Sequence, residues 1–218
     1  MGKYLDSGNT APPPWLVGIP ALLFILVIFS TLSIVPEWWG FFLSRYDPSL
    51  LTFWIKISLT LPGVGLVCYL TVRDGQGGFG HFLWLASVLL ASAILLATRR
   101  FPAEQIHLLE YGILGWLIYL PLRGVFPDRT VYPAAWLITF GVGIIDEWVQ
   151  YYLPGRVGDL PDIFMNGASA GLAMILLAKV LPSPFVEIPV SPGNVRKMRR
   201  TAWGVLLLLL FFIPTVTP

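Results

Sequence analysis

Cysteine is almost missing from this chain of 218 residues. The single one, Cys68, lies inside an apolar run, which excludes an intrachain disulfide and any zinc site built from several thiolates. Charge is scarce as well: Asp, Glu, Lys and Arg make up 12% of the residues, about half the share usual in a soluble domain. The formal net charge of +2 is too small to attract a nucleic acid. Histidine occurs twice, and no H-E-x-x-H, C-x-x-C or EF-hand pattern is present. A metal could draw only on His107 with scattered carboxylates, which would favour a hard cation over zinc, and no metal site is expected from spacing.

Apolar residues fill the gap. They account for 56% of the chain, and a mean hydropathy of +0.75 places it among multi-pass membrane proteins. Runs long enough to cross about 30 Å of hydrocarbon begin near Trp15, Leu50, His81, Ile106, Val131, Pro161 and Thr201. The expected fold is an all-α, multi-pass transmembrane helical bundle of six or seven spans. The first run follows a Pro-rich lead containing Lys3, has no small-x-small cleavage pattern after it, and reads as a retained anchor. With seven spans, Lys3, Arg73, Arg123, Arg129, Lys179, Arg196, Lys197, Arg199 and Arg200 fall on one side, and Arg45, Arg99, Arg100 and Arg156 on the other. The richer side is expected to be cytoplasmic, with the N-terminus. Lys56 is left inside a span, where it needs a partner or must snorkel.

Two polar segments then share the opposite, outward side. One is RRFPAEQIHLLEYG, in which Glu104, His107 and Tyr111 recur at helical spacing beside Glu110. The other, DEWVQYYLPGRVGDLPDIFMN, sets Asp146 and Glu147 at the end of an apolar run, with Gln150 at i+4 and i+3 from them. Pro154-Gly155 turns the chain before Arg156, Asp159 and Asp162, and Asn166 stands one helical turn past Asp162. Half of the acidic residues, six of twelve, lie in these two segments. Ionisable groups at membrane depth are costly and point to one shared site.

These motifs carry a resemblance. EQIHLLEYGILG, with its H-x-x-x-Y spacing, and the later D-E-x-x-Q, P-G-R and D-x-x-x-N elements of DEWVQYYLPGRVGDLPDIFMNGASAGL resemble the VanZ-like membrane proteins. The matched positions are His107, Tyr111, Asp146, Glu147, Gln150, Gly155, Arg156, Asp162 and Asn166, while Gln105 occupies the place where the family usually has a lysine and Asp159 stands where a serine is common. Read this way, the chain divides into N-terminal transmembrane segments (1–82), a VanZ-like transmembrane core (83–181), and a basic cytoplasmic loop with a C-terminal span (182–218). The resemblance implies the bacterial cytoplasmic (inner) membrane and a link to glycopeptide resistance, as with teicoplanin. It implies no settled reaction, cofactor or catalytic residue.

The expected binding residues are His107, Tyr111, Asp146, Glu147, Gln150, Arg156, Asp162 and Asn166. In one reading they hold a lipid headgroup or cell-wall precursor, with Arg156 on a phosphate or carboxylate. In a second, the chain is an accessory subunit among membrane lipids and partner membrane subunits, and Arg156 merely pairs with Asp146 or Glu147 to lower the cost of burial. In a third, Glu147 or Asp146 is a general base with His107 as acid partner on a lipid-linked substrate. Plainer roles compete: Asp159 and Asp162 can complement a helix N-terminus, and Gly167 and Gly171 fit close helix packing. GASAG, from Gly167, matches G-x-S-x-G but lies within an apolar helix, not at a nucleophile elbow. GQGGFG, from Gly75, lacks a βαβ frame and reads as a turn.

Overall fold

The computed structural model describes residues 13–50, scattered positions from 53 to 69, and residues 79–99, 102–181 and 188–216. Lys3, Cys68, Arg73, Arg100, the first residues of GQGGFG and the loop residues 182–187 lie outside the described residues. The fold is all-helical among them. Helix α1 spans Pro14–Thr31, α2 Val35–Arg45, α3 Phe79–Ala97, α4 Pro102–Leu122, α5 Val131–Tyr152, α6 Leu160–Ile175 and α7 Pro192–Val216, with a π-helical turn at Leu176–Val180 extending α6. Phe79–Ala97, Leu160–Val180 and Pro192–Thr215 are long and apolar enough to cross a membrane.

Local chemistry sets the boundaries. Proline stands in the first turn of α1, where the missing N–H would have had no partner. Helix α5 ends at Tyr152, and the turn after it depends on Gly155 at φ 74°, which an L side chain rarely adopts. Asp159 then caps α6 by accepting from Asp162 N at 2.8 Å, with Pro161 in the first turn. Helix α2 departs from the sequence reading, which had one apolar run from Trp15 and the next from Leu50. The chain bends after Leu32, and Trp38, Phe41 and Phe42 on α2 remain exposed, as suits aromatic rings at a membrane interface.

Helix α4 is central, packing on α1, α5 and α6, while α7 lies against α5 and α3 against the π turn. Tyr111, Leu114, Ile118 and Tyr119 of α4 meet Val131, Ala134 and Ala135 of α5 and Met174 of α6 in the main core. Gly167 and Gly171 serve packing: a Cβ on Gly167 would fall 2.8 Å from the Phe140 ring, and Trp136 Nε1 donates to Gly167 O at 2.9 Å.

At the opposite end of α4 and α5, one acid outside both polar segments ties α7 to the bundle. Asp128 accepts from Thr130 N (2.8 Å) and the Thr130 hydroxyl through Oδ1, and from Ser191 N (2.9 Å) and Asn194 Nδ2 (2.8 Å) through Oδ2. Burial alone would raise its pKa, but these four donors outweigh it and bring the carboxyl from about 3.8 down to about 2.

Candidate functional site

The C-terminal end of α1, the start of α4, the end of α5 and the start of α6 converge on a cleft of about 180 Å3. Ile28, Leu32, Val35 and Val157 give it an apolar wall, and Glu104, His107, Glu110, Asp146, Gln150, Arg156 and Asp162 give it a polar one. Both polar segments of the sequence therefore contribute to one space.

Its floor is fixed by Tyr111 and Asp146. Both are fully buried, and the tyrosine hydroxyl donates to Asp146 Oδ2 at 2.8 Å. One helical turn before Tyr111, the His107 ring stacks against it at 6.0 Å between centroids. Glu147 is fully buried beside them and accepts from Gln150 Nε2 (3.1 Å) and Asp159 N (3.3 Å). Ligating atoms of His107, Glu147 and Asp162, one from each of α4, α5 and α6, all lie within 4.8 Å of one another. That is the one set of side chains among the described residues grouped closely enough to hold a metal, and sequence spacing could not show it, because each residue comes from a different helix.

Asp162 is held from a direction the sequence did not suggest. Arg99 donates to its Oδ1 at 3.0 Å and also to Pro161 O, locking the turn before α4 to the first turn of α6. The pairing of Arg156 with Asp146 or Glu147 does not form. Those carboxylates face Tyr111, Gln150 and Asp159 N instead, no carboxylate stands within ion-pair distance of Arg156 among the described residues, and its buried Nε has no hydrogen-bond partner. The guanidinium lines the cleft. Asn166 is fully buried, with both side-chain polar atoms unpartnered. It sits where α6 crosses α5, since a Cβ on Gly143 would fall 2.8 Å from Asn166 Cβ and 3.2 Å from Tyr111 Cε1.

Ser169 is mid-helix, its hydroxyl donating to Met165 O at 2.6 Å, which removes GASAG as a nucleophile elbow. Gly158 is essential to the outer rim. A Cβ there would lie 2.1 Å from Glu147 O, so the 156–159 strand of loop can rest on the end of α5 only with glycine at that position.

Such a cleft can do two things chemically. It can receive an anionic group on Arg156, and it can hold cationic or hydrogen-bond-donating groups against its carboxylates. The VanZ/LLP1 family model matches residues 16–181. The match starts well before residue 83, where the motifs alone begin the family core, and so takes in α1 with the apolar wall, but it stops short of α7. No curated protein and no solved structure matches the chain.

Proposed function

Because the chain belongs to the VanZ/LLP1 family, we propose that it is a membrane protein whose cleft receives the phosphorylated, amine-bearing headgroup of a lipid or lipid-linked cell-wall precursor. The observation that carries this reading is the two-sided lining: hydrocarbon from Ile28, Leu32 and Val35 faces His107, Glu110, Asp146, Arg156 and Asp162. An amphiphile fits such a surface, with chains on the apolar wall and its head on the charges. Arg156, whose buried Nε is unpartnered, takes the phosphate, and the surrounding acids take the amine or sugar hydroxyls. In this proposal Tyr111 and Asn166 set the geometry of the floor, and Gln150, which lines the cleft, helps to orient the headgroup.

The bundle then crosses the membrane six or seven times in the bacterial inner membrane, with the N-terminus cytoplasmic and the cleft outward, as the cation asymmetry favours. Cysteines at Val157, which is well exposed beside the cleft, and at Lys197 report this directly: an impermeant maleimide is expected to label the first and not the second in intact cells. The binding itself is tested by native mass spectrometry of the purified protein with phosphatidylethanolamine, phosphatidylglycerol and neutral diacylglycerol. Retention in the order ethanolamine, glycerol, neutral is expected, and equal retention of all three rejects the headgroup reading. Teicoplanin susceptibility of cells with and without the protein shows whether the bound lipid lies on the route of that antibiotic.

A further inference from the structure

We infer that His107, Glu147 and Asp162 form a three-ligand site for a divalent cation of the zinc or manganese kind on the inner wall of the cleft. Their ligating atoms lie within 4.8 Å of one another. Bonds to such a cation are about 2.0–2.2 Å long, so small side-chain rotations bring all three into contact. One imidazole and two carboxylates suit zinc and manganese better than calcium or magnesium, which favour all-oxygen sets.

Independent observations point to a missing partner. His107 is more than nine-tenths buried, yet its Nδ1 has no hydrogen-bond partner. The nearest acid, Glu110 Oε2, stands 3.8 Å away, beyond hydrogen-bond reach. Of the acids around this point, Asp162 has a guanidinium in ion-pair contact, whereas Asp146 and Glu147, both fully buried, have none among the described residues. An uncompensated buried carboxylate is expensive, and a divalent ion bound by Glu147 removes that cost for it. The ligands are also already held: Gln150 Nε2 and Asp159 N each take one oxygen of Glu147, and Arg99 takes Asp162 Oδ1. Outer contacts of this kind orient metal ligands.

His107 and Asp162 line the cleft while Glu147 stands behind them. Three protein ligands leave at least one coordination position open, and here it faces the cavity that Arg156 also lines. A phosphate oxygen or a water can occupy it. The cation site does not rest on the headgroup reading, since it needs no lipid to form.

The test is metal binding by the full-length, tag-free protein in lipid-free detergent, stripped with chelator and titrated with Mn2+ or Zn2+ alone. One equivalent per chain is expected. His107→Gln should weaken binding by about 100-fold or more, and Gln150→Ala, which frees Glu147, by about 10-fold. Absence of a stoichiometric site in the wild-type protein overturns the proposal, as does a folded His107→Gln variant that binds as tightly as wild type. Should His107→Gln fail to fold, pulsed electron paramagnetic resonance of Mn2+ on the wild-type protein decides: coupling to one imidazole nitrogen is expected, and its absence overturns the site. A wild-type protein that retains phosphatidylethanolamine but binds no cation defeats this inference alone. The reverse result defeats the headgroup reading alone.

Discussion

Tyr111 donates its hydroxyl to Asp146 Oδ2 across 2.8 Å between two fully buried side chains, and this one bond joins the floor of the cleft to the packing of α4 on α5. Leaving a buried hydrogen-bonding group without its partner costs about 1–3 kcal/mol. Tyr111→Phe is therefore expected to lower stability in detergent by about that amount. A double-mutant cycle with Asp146→Ala should return a coupling of roughly 1–3 kcal/mol. Additive effects of the two substitutions would show that the contact contributes nothing of its own.

That contact was accessible from the sequence because two regularities coincide. The i, i+4 spacing puts His107 and Tyr111 on one face of a helix, and the expense of buried acid obliges Asp146 and Glu147 to find polar partners. The rest of the cleft carries no such signal. Arg99 meets Asp162 across 63 positions of chain, in a turn where any arginine could serve a topological role. Ile28, Leu32 and Val35 form the apolar wall, but as aliphatic residues in an apolar run they look like every other lipid-facing position. Of the two roles the sequence leaves open for Arg156, a ligand's anionic group or Asp146 and Glu147, the ion pair is the one that does not form, because Tyr111 from another helix and Gln150 and Asp159 N from its own segment hold those carboxylates.

Asp128 gave no sign at all, being a lone acid in a connecting turn whose partner Asn194 lies 66 positions away. Its folded pKa of about 2 lies below the ordinary 3.8, so the folded state favours the charged carboxylate. The stability it contributes is complete above pH 4–5 and is lost as pH falls through the window from about 4 to about 2. Asp128→Ala should cost on the order of 2 kcal/mol at neutral pH and flatten that part of the acid-stability profile. A variant whose loss of stability between pH 5 and pH 2 matches wild type would disprove the assignment.

Glycine at the rim offers a steric test. Gly158→Ala places a Cβ 2.1 Å from the Glu147 carbonyl oxygen, which is backbone and cannot rotate away. The loop must lift, carrying Arg156 and Asp159 with it, at a cost of roughly 1–3 kcal/mol. Gly112→Ala, which meets nothing within 4 Å, is the matched control and should be neutral or slightly stabilising in its helix. Equal melting temperatures for the two variants would mean that the 156–159 loop does not rest on α5 as described.

Arg99, which holds Asp162, and Arg156, which lines the cleft, should separate bracing from binding. Arg99 is bonded to Asp162 Oδ1 and Pro161 O, so Arg99→Ala strands a partly buried carboxylate and unties α6 from the turn before α4. A loss of about 2–4 kcal/mol is expected, with Arg99→Lys restoring only part of it because the second contact needs the guanidinium fork. Arg156 has no carboxylate within ion-pair distance among the described residues. Its removal should change stability by less than about 1 kcal/mol while abolishing preferential retention of phosphatidylethanolamine. Arg156→Lys keeps the charge but not the paired N–H geometry, and should retain the lipid more weakly than wild type. Melting temperature and lipid retention, measured on the same preparations, give the answer: a large stability loss in Arg156→Ala with unchanged lipid retention would make Arg156 a brace and leave the cleft without its anion-binding group.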